Sequence, residues 1–397
     1  MSAVTTGPST ATEPSPLRGW LAVLAVTLGI FSLMTSELLP VGLLSPVGTD
    51  LEVSAGTAGL MVTVPGLVAA VSAPLITVAT GRVDRRLVLV LLVGLVAAAN
   101  LASAFATSFA LVLVARFLIG VSVGGFWSIA GGIALRLVPE RHVPRAMALI
   151  FGGVETASVL GVPAGTFIGD LSGWRVAFAA VGVLGLLALI GLVVLLPALP
   201  PVRAITLADP PRLFRANAAL RAGLALTFLL ITGHFIAYTF VRPLLQGRGV
   251  EDALVSPLLM VFGVAGICGN FLAGAFVARH LRRTVTAVVA ALVTAMALLA
   301  LVPAGTAVSA CLLVVWGLGY GAVPVTLQTW ITRAAPVATE AASSLYVSAF
   351  NLSIALGALS GGLAVDFLAL TSVLWIGCGL VLLALLPAGR PAEGVGD

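Results

Sequence analysis

Glu37, Arg116, Glu155 and His234 lie deep within stretches otherwise built of Ala, Val, Leu, Gly and Phe. Placing a charge in hydrocarbon costs roughly 2.5 to 3.5 kcal/mol even on insertion scales, so such groups face a water-filled path or one another. A carboxylate beside a guanidinium suits proton exchange. Burial favours the neutral acid, the guanidinium favours the anion, and a change of access tips the balance. The same pairing also suits a static bridge that keeps helices in register, and for Arg116 both readings stand. Glu37 precedes Pro40, which bends a helix and frees backbone carbonyls. It reads as a coupling or substrate-contacting carboxylate, as does Glu155. His234 falls on one helical face with Tyr238 and Arg242, the last expected at the membrane interface.

These residues are informative because the chain around them is made for lipid. Of 397 residues 60% are hydrophobic and 9% charged, against about 25% charged in a typical soluble protein. Twelve apolar runs of spanning length recur, with cores at 20–44, 56–80, 87–107, 108–135, 143–169, 174–196, 218–244, 253–278, 284–303, 305–332, 339–364 and 371–388. Each is long enough to cross about 30 Å of hydrocarbon as a helix. Barrel strands would alternate apolar and polar residues over about ten positions, and these runs do not. The expected class is an all-α integral membrane protein of twelve transmembrane helices.

A cleaved signal peptide would account for one run only, and residues 1–17, rich in Ser, Thr and Pro, read as a disordered tail. Cys268, Cys311 and Cys378 lie inside apolar segments without metal-ligand spacing, so they read as packing residues; no metal or cofactor is expected.

Orientation follows from arginine, since the chain has no lysine. With the N-terminus inside, 16 arginines fall at the cytoplasmic side, while Arg175, Arg242 and Arg248 face out and Arg116 stays in the membrane. The positive-inside rule then places both termini in the cytoplasm. The net charge of +5 describes loops against an anionic inner leaflet rather than a nucleic-acid surface.

The proline-rich segment 197–216 reads as a cytoplasmic linker between a six-helix half at 18–196 and another at 217–388, followed by a tail at 389–397. Each half echoes the other. GRVDRR at 81–86 answers RHLRR at 279–283, and the fifth helix ends GTFIGD at 165–170 where the eleventh ends GGLAVD at 361–366. Six-helix repeats with a site between them near the midplane form one large transporter architecture.

Gly161, Gly165 and Gly169 recur every four residues and form a smooth stripe for a neighbouring backbone. Glu155 projects about 120° away from it. Arg116, Gly120 and Gly124 make a similar stripe in the fourth helix, with Trp127 returning to that face. At 1.5 Å per residue Arg116 and Glu155 come to about the same depth. Polar groups amid apolar walls mark candidate substrate contacts: Ser344, Ser348 and Asn351 on one face of the eleventh helix, Gln328 on the tenth and Tyr238 on the seventh, with Trp127, Trp330 and Tyr346 as stacking surfaces. They suit a nucleoside, with its flat base and ribose hydroxyls, and equally a sugar or an aromatic drug.

RFLIGVSVGGFW at 116–127 resembles the helix-4 motif of the major facilitator superfamily, GVPAG at 161–165 its helix-5 antiporter motif, and GRVDRR its loop after helix 2. ELLPVGLL (37–44), RLVPERHVPRAMALIFGG (136–153), GDLSGWRVAF (169–178) and VPVTLQTWITR (323–333) are similar to the bacterial drug:proton antiporter branch, whose members include sugar and chloramphenicol exporters and, nearest, purine ribonucleoside efflux pumps. The resemblance covers Trp20 to Pro387. It implies a proton-coupled, monomeric exporter of a small organic solute in the bacterial inner membrane, with Asp84, Arg85 and Arg86 as gating residues and Gly161, Pro163 and Gly165 sealing the closed pathway. The residues' own burial and spacing, rather than the resemblance, make Glu37, Arg116 and Glu155 the candidates for proton coupling and Glu155 with His234 candidates for substrate contact. The loop lacks the usual Gly-Arg before its last basic residues, Val162 separates Gly161 from Pro163, and Glu155 stands where relatives carry a small neutral residue. An intramembrane enzyme would need paired Asp, Ser-His or a metal motif within the bilayer, and a sensor would need a soluble signalling domain; neither set is present in the sequence.

Overall fold

The computed structural model describes residues 16–80, 82–130, 134–139, 142–200, 209–302, 305–336 and 338–389. Most of the two expected tails and residues 201–208 of the linker lie outside them. In hydrocarbon every backbone N–H and C=O must be satisfied within the chain, and these long apolar runs do so as helices. They are α1 (Pro16–Asp50), α2 (Leu60–Ala79, entered through a helical turn at Ala55–Ala58), α3 (Arg85–Ala104), α4 (Phe109–Ala130), α5 (143–172), α6 (Trp174–Leu195), α7 (Ala218–Tyr238), α8 (Asp252–Val277), α9 (Leu281–Leu301), α10 (Thr306–Ala334), α11 (Thr339–Phe367) and α12 (Ser372–Ala388). Ten of these are long and apolar enough to span by themselves. The remaining two, α5 and α12, complete the twelve.

Short polar signals set the ends. Asp84 accepts from Arg86 N at 2.8 Å and Asn217 from Leu220 N at 2.9 Å, capping α3 and α7. Gly173, at φ +90°, turns the chain between α5 and α6 in a conformation that side chains resist. Within α5, Val143–Thr156 and Val162–Ser172 are α-helical and Ala157–Gly161 forms a π turn. Pro163 lacks an N–H and its ring crowds the preceding turn, so the helix widens there by one residue.

The seventh apolar run is shorter than its hydropathy indicates. α7 stops at Tyr238, and a separate helix, Val241–Gly247, follows Phe240. Arg242 therefore leaves the face of His234 and Tyr238 and is buried against residues of the first half. The cysteines also divide. Cys378 packs inside, but Cys268 and Cys311 are exposed on helices where the surroundings are lipid.

In the first half α2 packs on α4 and α3 on α6; in the second α8 packs on α10 and α9 on α12. Glycine permits the closest crossings. A Cβ at Gly120 or Gly124 would run into the backbone of α2 at Pro65 and Ala69, and one at Gly317 or Gly321 into that of α8. The halves meet through α2 on α11 and α5 on α8. We call the end of the bundle that carries the linker the linker face and the opposite end the distal face.

Candidate functional site

Helix α1 divides its side chains among three neighbours. Thr35, Leu39 and Leu43 recur at four-residue spacing and meet Gly161, Gly165 and Gly169 of α5, so the expected glycine stripe lies against α1. Ser36 turns into the first half. Its Oγ accepts from Asn100 Nδ2 of α3 at 2.7 Å, and its carbonyl accepts from Arg116 Nη1 of α4 at 2.7 Å. Val41 belongs to the hydrophobic cluster of the second half, and Leu38 packs against that cluster. Glu37 stands one turn before Val41 on the face toward the seam between the halves. It is 7% exposed.

Arg116 is fully buried, with its guanidinium 4.7 Å from the centre of the Phe178 ring. Among the described residues its Nε and Nη2 have no hydrogen-bond partner. Of the two carboxylates that a tie to Arg116 could use, Glu37 does not make one: among the described residues neither Glu37 nor Arg116 belongs to an ion pair. The physical reason is direction, because successive residues of a helix point about 100° apart, so Ser36 faces Arg116 while Glu37 turns to the seam. The backbone of Glu155 is helical in α5, and its side chain lies outside the described residues.

The second half holds an aromatic cluster around His234. The ring of Tyr320 stacks on the imidazole at 3.7 Å between centroids, and that of Tyr238 at 4.9 Å. Trp316 Nε1 donates to His234 Nδ1 at 3.0 Å. In the neutral imidazole the proton then sits on Nε2, a buried atom without a partner among the described residues. Structure thus brings His234 and Tyr238 together and adds Trp316 and Tyr320, which sequence reasoning did not select.

The other candidates are more dispersed. Gln328 Nε2 donates to Ser343 Oγ at 3.3 Å, tying α10 to α11. Asn351 is buried at the crossing of α11 with α2, and Nδ2 donates to Val347 O at 2.9 Å. Tyr346 is buried edge-on to Phe350. Trp127 is half-buried against the core of the first half. Trp330 is placed away from the seam: its indole donates to Ala219 O at 3.1 Å and its ring fills the space beside Gly223, both on α7. Ser348 lines an open, mostly apolar groove of about 670 Å³ walled by Leu67 and Val71 of α2, Arg221, Leu224 and Phe228 of α7 and Leu345 and Leu352 of α11.

At the linker face the expected gating residues bind their own half and the start of the linker. Asp84 accepts from Leu199 N at 2.9 Å, Arg85 Nη1 donates to Thr80 Oγ1 at 2.8 Å, and Arg86 Nη2 donates to Val193 O. At the distal face hydrogen bonds cross between the halves. Arg242 Nη1 donates to Gly42 O at 2.7 Å and Nη2 to Asp170 Oδ1 at 2.8 Å, while Ser256 donates to Asp170 Oδ2 at 3.1 Å. Ser45 donates to Gln246 Oε1 at 3.1 Å. On the other flank Ser54 Oγ donates to Asp366 Oδ2 at 2.7 Å and Gly56 N to Oδ1 at 3.0 Å. Phe240 packs into a cluster otherwise made of first-half residues. Asp170 and Asp366 end the two repeated hexapeptides, the one signal in the sequence that pointed here.

Among the described residues no group of three or more His, Cys, Asp and Glu side chains is arranged to hold a metal.

The arrangement, two helical halves with buried polar groups in and beside their seam, matches known proteins closely. The family model of the Major Facilitator Superfamily matches residues 25–342. The chain is 37% identical over 380 residues to a purine ribonucleoside efflux pump, NepI, of Salmonella paratyphi A, covering 92% of each chain. It is 35% identical over 383 residues to the NepI of Escherichia coli, covering 96% of this chain and 95% of that one. These relatives are named as pumps, not enzymes. Among solved structures, a bacterial homologue of the human lysosomal transporter Spinster superposes with a TM-score of 0.73 at 16% identity, over 95% of this chain and 96% of the other. The nucleoside transporter NupG does so at 0.75 and 13%, over 92% and 98%; at such identities these two speak for the fold. The chain belongs to the major facilitator superfamily and is a multi-pass membrane transporter with twelve helices in two six-helix repeats.

Proposed function

We propose that the chain exports purine ribonucleosides, or compounds built like them, from a bacterial cytoplasm in exchange for protons, working as a monomer by alternating access. The substrate class rests on the purine ribonucleoside efflux pumps, alike over more than nine-tenths of the chain. Orientation in the cytoplasmic membrane, linker face and both termini inside, rests on the arginine distribution.

The observation that carries proton coupling is Glu37, a buried carboxylate on the seam that belongs to no ion pair among the described residues. A lone carboxylate there obstructs closure of the halves while charged and permits it once protonated. In this reading Glu37 takes a proton from outside and releases it inside. Arg116, held by Ser36 next to Glu37 in the chain, sets the positive potential that favours release, and Glu155 adds a second carboxylate from α5. Substrate is gripped between the halves by Trp127, His234, Tyr238, Gln328, Tyr346 and Asn351.

The test is transport into everted membrane vesicles. Labelled inosine, guanosine and adenosine should accumulate on energisation and leave when a protonophore is added. Accumulation of a sugar or a phenicol instead would replace the substrate class, and nucleoside flux indifferent to the protonophore would remove proton exchange.

A further inference from the structure

The repeated ends of α5 and α11 make contacts that the transport reading does not use. Asp170 and Asp366 each lie within the last three residues of the fifth helix of their half. Each reaches out of its own half to the beginning of the second helix of the other. Asp366 accepts from the N-cap Ser54 and from Gly56 N at the entry to α2. Asp170 accepts from Ser256, in the first turns of α8, and from Arg242. A carboxylate at a helix N-terminus meets unpaired N–H groups and the positive end of the helix dipole. The approach of α11 is close enough that a Cβ on Gly56 would strike the Asp366 carboxylate and the carbonyl of Gly362.

We propose that Asp170 and Asp366 are a matched pair of gating residues that hold the distal face shut, and that this face opens only when both carboxylates let go. The hydrogen bonds in question run from one half to the other, so they exist in the closed arrangement and vanish when the halves part. Arg242 shows the bias most clearly. It belongs to the second half, is 3% exposed, and donates through Nη1 and Nη2 to Gly42 and Asp170 of the first. Without Asp170 the closed state keeps a buried guanidinium whose Nη2 has lost its acceptor, whereas the open state offers it water. Removing a contact made in one state shifts the population toward the other. A residue that only stabilised its own half would weaken both states alike.

The two latches differ in chemistry. Asp170 holds a cation that Asp252 also approaches at 3.8 Å, and Asp366 holds a helix end. They sit on separate helices with separate partners, so their contributions should add. The proposal rests on alternating access and not on the identity of the substrate or of the coupling ion.

The experiment uses full-length protein in which Cys268, Cys311 and Cys378 are serine and one thiol is placed at Val41, a buried first-half position within the cluster of the second half. A membrane-impermeant maleimide is added at the distal face. We expect Asp170→Asn and Asp366→Asn each to speed labelling about tenfold, as loss of one charge-assisted hydrogen bond allows, and the double variant to multiply the two effects. Exchanging the partners, Asp170→Arg with Arg242→Asp, should return the rate toward that of the parent. A control thiol at Ala97, buried in the first half, should stay protected throughout. Unchanged labelling at Val41 in the double variant overturns the proposal, as does equal acceleration at Ala97, which signals unfolding rather than opening. A parent protein never labelled at Val41 during turnover, beside a double variant that is, would support the latches and count against alternating access.

Discussion

The indole of Trp316 donates its N–H to Nδ1 of His234 across 82 positions of sequence at 3.0 Å. That bond fixes which nitrogen of the imidazole carries the proton. In Trp316→Phe the ring stack survives and the donor is lost. Stability should fall by about 2 to 4 kcal/mol, because the change removes a hydrogen bond and also leaves a void where a fully buried indole stood, read as a lowered unfolding temperature in detergent. Nitrogen NMR of labelled His234 should change from one tautomer, protonated at Nε2, to a mixture. A spectrum that stays with the single tautomer would mean that Trp316 does not set it.

Glu37→Gln keeps the shape of the side chain and removes its charge. Exchange of substrate for substrate across proteoliposomes should continue, while accumulation against a gradient should no longer respond to an imposed pH difference. If accumulation keeps its full response, the proton is carried elsewhere, and Glu155→Gln is the next variant to measure.

Arg116 is held by one hydrogen bond and by the Phe178 ring. In Phe178→Leu the guanidinium loses its aromatic partner in a dry setting, where cation–π contacts are worth about 2 kcal/mol. A fall in thermal stability larger than that of Phe178→Leu made in an Arg116→Met background is expected. Equal effects in the two backgrounds would show that ring and cation do not interact.

Gly165 meets Leu39, and an added Cβ would press on Leu39 Cδ1 at 2.5 Å. Gly165→Ala should therefore destabilise α1 against α5 by about 1 to 3 kcal/mol, the range for overpacking. Leu39→Ala clears the space, so the double variant should be more stable than the sum of the two single losses predicts. Simple additivity, measured as unfolding temperatures, would place the strain somewhere other than this contact.

The architecture was legible because hydrocarbon imposes so few solutions. Length and hydropathy revealed twelve helices, and the four-residue glycine spacing announced a helix contact before its partner, α1, was known. The limits were those of direction. Ser36 and Glu37 are neighbours in the chain, yet the carbonyl of one binds Arg116 while the side chain of the other turns to the seam, a division that residue type and depth do not show. A helix carried straight through Tyr238 would keep Arg242 on the face of His234, whereas the chain breaks there and turns the arginine toward the first half. The choice of Asp170 as its partner depends on how two halves meet, which no local pattern encodes. Trp330 illustrates the same limit: its type suits stacking, but a neighbouring glycine at Gly223 made it a packing residue.

The three faces of α1 have a further consequence. A single helix that touches α5, the Arg116 cluster and the opposite half at once works like a camshaft, its lobes cut from one piece. A single inserted residue after Ser36 would turn everything beyond it by about 100° and throw Leu39, Val41 and Leu43 out of step together. Along this stretch residue count keeps three sets of contacts in register at once.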